Sequence, residues 1–316
     1  MKIESTFLDP HWLIDEAEDN SIDKPMEFVI VLVSKNLRDH DVTKIHQLLN
    51  ENNVVIDSSN ALSKDKATEI FITTSAGLAW ELFQKFLIME VSKEIDIAVL
   101  PVSSRNKKLL VCDMDSTIIQ SETLDDIAVS VGIGEQIKKI TARAMCGELD
   151  FRQALDERIS LLAGTAEDVF DELANTVQFN SGAGKLIGLA RQQGLRTVLV
   201  SGGFEPIVKV VANRLGFDRY VCNCLEISNG RLTSKLVDPI VDGDTKLNIL
   251  QEECQQLSIH PSEACAIGDG ANDIQMLQAA GLGVGFQGKP LVRASTPYQI
   301  NTTGLDTALI MMGIAG

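Results

Sequence analysis

Two aspartates, Asp113 and Asp115, stand one residue apart at the end of the apolar run LLVC. In an extended chain, side chains two residues apart share a face, so these carboxylates would lie close together. Like charges at that distance oppose each other unless one carboxyl keeps a proton or a cation binds between them. Both arrangements are typical of reaction centres. Two other apolar runs also end in polar residues suited to chemistry: RTVLV leads into Ser201-Gly202-Gly203, and ACAI into Gly268-Asp269-Gly270-Ala271-Asn272-Asp273. Asp113 and Asp269 offer hard oxygen ligands, and magnesium, held by one or two carboxylates with water and substrate phosphate, is the fitting ion. The glycines beside Ser201 let backbone N–H groups turn toward an anion, and Lys246 can supply a compact positive charge.

These groups are useful only if strands bring them together. KLLVCD, RTVLVSG, ACAIGDG and LGVGF are short buried runs separated by helical segments, the pattern of a parallel sheet. In open α/β sheets ligands bind beyond the carboxyl ends of the strands, where the three polar clusters would converge. About 80 residues separate the first two runs, and most read as helix: IGEQIKKITARAM, DFRQALDERISLLAG and VFDELANT. They predict a helical cap at about 123–180. A second interruption, YVCNCLEISNGRLTSKLV, reads as a hairpin turning at Asn229-Gly230.

The earlier part of the chain has a different pattern. Residues 1–25 form an irregular acidic arm, and residues 26–102 give strand, helix, two strands, helix (AWELFQKFLIMEVSKE) and strand. This βαββαβ order matches the ferredoxin-like plan and predicts a domain with a separable core. After the basic link SSRNKK, residues 103–316 form the second domain. The expected fold class is α/β: a Rossmann-like parallel sheet with a helical cap insertion, preceded by a ferredoxin-like βαββαβ domain.

Composition excludes several functions. A net charge of −16 argues against nucleic acid, which demands clustered Lys and Arg. It also requires local cations wherever an anionic substrate is to bind. No apolar run approaches the ~18 residues of a membrane span, and the N-terminus lacks a signal pattern, so the expected location is the cytoplasm. The six cysteines read as reduced, buried thiols, and the four histidines are scattered. SGAGK, residues 181–185, lacks the glycine and the Ser or Thr that a nucleotide-binding phosphate loop requires. Assembly is open, a homodimer included.

The blocks DMDSTIIQSE, SGGF, Lys246 and GDGANDIQML, in this order, resemble the haloacid dehalogenase superfamily of phosphotransferases and, in detail, its phosphoserine phosphatase family, over about residues 107–290. The resemblance implies that Asp113 is the nucleophile and Asp115 the general acid and base. Ser201, Gly202 and Lys246 would bind phosphate. Asp269 would join Asp113 and the Asp115 backbone carbonyl on magnesium, with Asn272 near the substrate and Asp273 behind, supporting the metal and Lys246. In the cap, Arg158 would take the substrate carboxylate and Glu122 its ammonium, while Met145 and Phe151 would exclude water. The expected reaction is magnesium-dependent hydrolysis of O-phosphoserine through an aspartyl-phosphate, the last step of serine biosynthesis. Residues 26–102 resemble ACT-like regulatory domains. Two alternatives stay open: a related phosphatase or phosphotransferase, for example on phosphohomoserine, and a catalytically silent amino-acid-sensing protein.

Overall fold

The computed structural model describes residues 24–63, 66–89, 93–146 and 148–314, without the side chains of Ser63, Met145 and Phe151. The expected arm therefore lies outside the described residues up to position 23, and Pro25 already begins the first strand. The first unit contains β1 (Pro25–Val33), α1 (Asp39–Glu51), β2 (Ile56–Ser63), β3 (Ala67–Ser75), α2 (Ala76–Ile88) and β4 (Asp96–Pro101). Its strands form an antiparallel sheet in the order β2-β3-β1-β4. β1 and β4 are nearly continuous apolar runs because both of their faces are covered. The helix expected to reach Glu94 stops at Ile88, where Met89 turns to extended backbone at φ −69° and ψ 149°.

The second unit is built on a seven-stranded sheet of β5 (Leu109–Cys112), β6 (Arg196–Phe204), β7 (Arg219–Ser228), β8 (Arg231–Val237), β9 (Ala264–Gly268), β10 (Leu282–Phe286) and β11 (Tyr298–Ile300). The order is β11-β10-β9-β5-β6-β7-β8, parallel except for the β7–β8 hairpin. That hairpin turns at Asn229 and Gly230, both at positive φ (51° and 71°), as the Asn-Gly pair predicts. The segment is more than an interruption, however, because residues 219–223 of β7 first pair in parallel with β6. Between β5 and β6 lie α3 (Thr123–Ser130), α4 (Gly134–Met145), α5 (Phe151–Ser160), α6 (Val169–Thr176) and α7 (Ala183–Gln192). Helices α3 and α7 add to the three expected segments. The chain also forms α8 (Glu205–Leu215), α9 (Gly243–Leu257), α10 (Ile274–Ala279), α11 (Pro290–Ser295) and α12 (Thr307–Met311).

The first unit does not keep a core to itself. One contiguous set of buried side chains runs from Phe28, Leu82 and Val99 to Ile267, Val284 and Leu309. Phe83 of α2 stacks on Tyr298 of β11 at 5.5 Å, and the Tyr298 hydroxyl donates to the Val99 carbonyl at 3.1 Å. Buried Asp96 accepts from the backbone N–H groups of Asn301 (2.8 Å), Thr302 (3.1 Å) and Thr303 (2.9 Å). Arg105, from the basic link, is buried between Glu69 of β3 and the Ile310 and Met311 carbonyls of α12. The cysteines are free, but only Cys112, Cys254 and Cys265 are buried, and Cys146 is exposed.

Candidate active site

The carboxyl ends of the parallel strands assemble the site. Asp113 follows β5, its N–H donating to Ile267 of β9 at 2.9 Å. The chain then makes a tight turn, Met114–Ile118, in which Ser116 takes a positive φ of 57°. A non-glycine residue keeps that conformation only where its surroundings hold it. Here the Ser116 N–H donates to the Ser121 carbonyl at 3.1 Å, and its hydroxyl to Glu122 Oε1 at 2.9 Å. Asn180 adds to the restraint: its side-chain N–H₂ faces the carbonyls of Ser116 (3.2 Å), Thr117 (2.8 Å) and Ile119 (3.0 Å). Asp115 is thereby aimed at the mouth of the cleft, where Oδ1 accepts the Thr123 N–H at 3.0 Å and Oδ2 faces the Ser201 hydroxyl at 3.4 Å.

Lys246 comes from the first turn of α9, a helix begun by Asp242, whose Oδ1 accepts the Thr245 N–H at 2.8 Å. Its side chain is fully buried and its ammonium touches both Asp113 Oδ1 and, at 2.6 Å, Asp273 Oδ1. The other Asp273 oxygen accepts the N–H groups of Asp269 (3.1 Å) and Gly270 (2.9 Å). Asp273 closes over the β9 end because position 268 is glycine: a Cβ there would stand 2.5 Å from the Asp273 carboxyl carbon.

The electrostatics follow from burial. Asp273 already engages Lys246, and one ammonium cannot also offset Asp113 in full. Burial and the neighbouring Asp273 hold the Asp113 carboxyl well above the usual carboxylate range. Burial and Glu122 raise Asp115 to about 7, and burial raises Asp269. For Lys246, burial works against the charge, but Asp113 and Asp273 prevail and the ammonium is held more tightly than an ordinary lysine's.

Of the residues expected at the site, Asp113, Asp115, Glu122, Arg158, Gly202, Asp269 and Asn272 line one cleft. Ser201, Lys246 and Asp273 lie buried behind it. Arg158, on α5, donates through Nε to the Ala154 carbonyl at 3.0 Å, and burial lowers its pKa. Met145 ends α4 and Phe151 begins α5, with side chains outside the described set. Oxygens of Asp113, Asp269 and Asp273 lie within 4.8 Å of one another. Asp273 belongs to this carboxylate cluster, and the Asp115 carboxylate, from which no metal ligand was expected, is turned to Thr123 and Ser201.

Several residues at the site were not anticipated. Lys289, after β10, places its ammonium 3.1 Å from Asp269 Oδ2 and 3.1 Å from Glu122 Oε1, linking the sheet to the entrance of the cap. Asn223 braces the glycine loop of β6, donating to the Gly202 carbonyl and accepting the Val241 N–H, each at 2.8 Å. Asn180 and Thr123 act on the Asp115 turn. Nothing local in the sequence marks these residues, since each contact is made to a distant part of the chain or through a backbone group.

A parallel sheet with a helical cap and an Asp-x-Asp turn facing a buried Lys–Asp pair places the chain in a recognised group. Residues 110–278 match the family model of the haloacid dehalogenase-like hydrolases, and the chain belongs to that family. It is 41% identical over 213 residues to a phosphoserine phosphatase of Streptococcus thermophilus, covering 67% of this chain and 99% of that protein. A haloacid dehalogenase family hydrolase of Salmonella enterica subsp. enterica serovar Typhi superposes with a TM-score of 0.81 at 27% identity, covering 90% of this chain and 98% of the other. A phosphoserine phosphatase solved as a phospho-aspartyl intermediate analogue gives a TM-score of 0.61 at 34% identity, covering 65% of this chain and 98% of that one.

Proposed function

We propose that this hydrolase is a phosphoserine phosphatase that releases serine and inorganic phosphate through a covalent intermediate on Asp113. The observation that carries the reading is one cleft lined by Asp113 and Asp115 together with Arg158 and Glu122. It pairs phosphoryl chemistry with partners for an α-carboxylate and an α-ammonium. In the first step an Asp113 oxygen bonds to phosphorus as the phosphorus–serine oxygen bond breaks, and Asp115 gives its proton to the departing oxygen. In the second, water attacks the phosphoryl group, Asp115 takes the proton back, and the Asp113 carboxylate leaves. A raised pKa suits Asp115 to both roles, since it holds a proton near neutrality and gives it up readily.

Lys246, together with Ser201 and the N–H groups of the glycine loop, would receive the phosphoryl oxygens. The hard carboxylate oxygens of Asp113 and Asp269 fit a magnesium ion, with the Asp115 carbonyl as a third protein ligand. When bound, the metal offsets negative charge on the phosphoryl group and favours the ionised form of Asp113, which burial alone disfavours. Asn272 lies beside the substrate and Asp273 holds Lys246 in place. The reading carries with it a cytoplasmic setting in serine biosynthesis, an ACT-like regulatory role for the first unit and, as one option, a homodimer.

The test is phosphate release from O-phosphoserine with magnesium, with EDTA, and with an Asp113→Asn variant. Activity is expected only in native protein with magnesium. Near-native turnover by Asp113→Asn would remove the covalent mechanism, and no turnover of phosphoserine by the magnesium-loaded native protein would remove the substrate.

A further inference from the structure

A second cavity, of about 610 Å³, lies between the two units, walled on one side by the ends of β1 and β3 and on the other by α7 and the segments after β10 and β11. That volume is in the range of small-ligand pockets. Three lysines line it: Lys35 and Lys66 from the first unit and Lys185 from α7. Among the described residues Lys185 pairs with Asp306 at 3.4 Å, whereas Lys35 and Lys66 have no carboxylate partner. In a chain of net charge −16, three exposed lysines from two units converging on a cavity that holds one carboxylate, Asp306, make a local excess of positive charge. The buried hydroxyl of Thr302, a residue also in the wall, has no hydrogen-bond partner among the described residues.

From these features we infer that the cavity is a binding site for a small dianion, a dicarboxylate or a phosphate-bearing metabolite, separate from the cleft that holds Asp113. Its two negative charges would face the three lysines. Asn180 and Gln120 also line the cavity. Asn180 holds the turn that carries Asp115 through three carbonyls. Gln120 ties that turn to residues 178–179 through its N–H to the Gln178 carbonyl and its side chain to the Phe179 carbonyl, each at 3.0 Å. An anion that orders the Asn180–Lys185 segment therefore acts on the position of Asp115. This coupling rests on the role proposed for Asp115, whereas the binding site does not.

Titration calorimetry of the full chain, at ionic strength held constant with sodium chloride, tests the site with two probes, succinate and inorganic phosphate. Succinate should bind once to native protein, and its affinity should fall by about tenfold or more in the double variant Lys35→Ala/Lys66→Ala. Phosphate, which also enters the catalytic cleft, should show one more site in native protein than in the variant. Binding by one probe alone identifies the class of anion. Absence of this site with both probes, or equal affinity in the double variant, overturns the proposal. Kinetics read the coupling: saturating succinate should change kcat/KM for phosphoserine by about fivefold or more in native protein and leave the variant, otherwise equally active, unaffected. Succinate that binds without changing kcat/KM overturns the coupling. Failure of both proteins to hydrolyse phosphoserine would overturn the substrate assignment while the calorimetry still decides the site.

Discussion

Replacing Asp115 with asparagine should stabilise the metal-free protein, by an amount that grows with pH. Asp115 is held at about 7 in the folded chain, against an ordinary value of 3.8. Below both values the carboxyl is neutral whether the chain is folded or unfolded, and ionisation contributes nothing. Between them the unfolded chain releases a proton that the folded chain retains, so stability falls as pH rises; above 7 the full penalty for burying the anion is present. The difference of about three pH units, at about 1.36 kcal/mol each, makes that penalty at most about 4 kcal/mol at pH 8 and about 1.7 kcal/mol at pH 5. Asparagine is neutral throughout and can still accept the Thr123 N–H, so Asp115→Asn escapes the penalty. Urea unfolding in EDTA at pH 5, 6.5 and 8 should show the variant's advantage widening by about 2.5 kcal/mol across the series. An advantage that stays constant, or shrinks with pH, would refute the argument that burial and Glu122 disfavour the Asp115 anion.

Arg158→Ala should lower kcat/KM for phosphoserine by roughly 30-fold to several thousand-fold, the effect of leaving a substrate carboxylate unpaired, while an aryl phosphate is spared; equal losses on both substrates would place Arg158 in the chemistry or the fold. Lys289→Met removes an ammonium that occupies Asp269, so magnesium affinity measured by calorimetry should rise, and a fall would show that Lys289 shapes the metal ligands instead. Asp96→Ala leaves the three partly buried N–H groups of residues 301–303 without their acceptor and should cost about 3 kcal/mol in urea unfolding, with an unchanged midpoint as the contrary result.

The residues legible in the sequence were those whose signal is local. Asp-x-Asp after an apolar run, Ser-Gly-Gly and Gly-Asp-Gly each sit at a strand end, and strand direction alone brings them together. The Asn229-Gly230 turn was equally readable, because both positions need the positive φ those residues tolerate. The parallel half of β7 was not, because it is only partly buried and so lacks the apolar run that marked the other strands. Lys289, Asn180, Asn223 and Asp96 are single polar residues whose roles depend on partners far along the chain. The separable core was misjudged for the same reason. Periodicity shows that β1 and β4 are buried, but not that part of what covers them comes from the end of the chain, where Tyr298 meets Phe83 and Asp96 meets residues 301–303.

The charges in the cleft also bear on the order in which it fills. Asp113, Asp115, Glu122, Asp269 and Asp273 face three cations, Lys246, Lys289 and Arg158, so the fully ionised site is short of two positive charges. The raised pKa values of Asp113, Asp115 and Asp269 are in part the same shortage, expressed as protons held on carboxyls. A phosphate dianion arriving first would double the deficit in a poorly solvated cleft. A divalent cation arriving first would close it. Metal should therefore precede phosphate, and the affinity of inorganic phosphate for the cleft in the Lys35→Ala/Lys66→Ala background should rise by at least about tenfold when EDTA is replaced by magnesium. Phosphate binding equally well in EDTA would mean that protons on the carboxyls already balance the site, and that the metal is needed for the chemical steps alone.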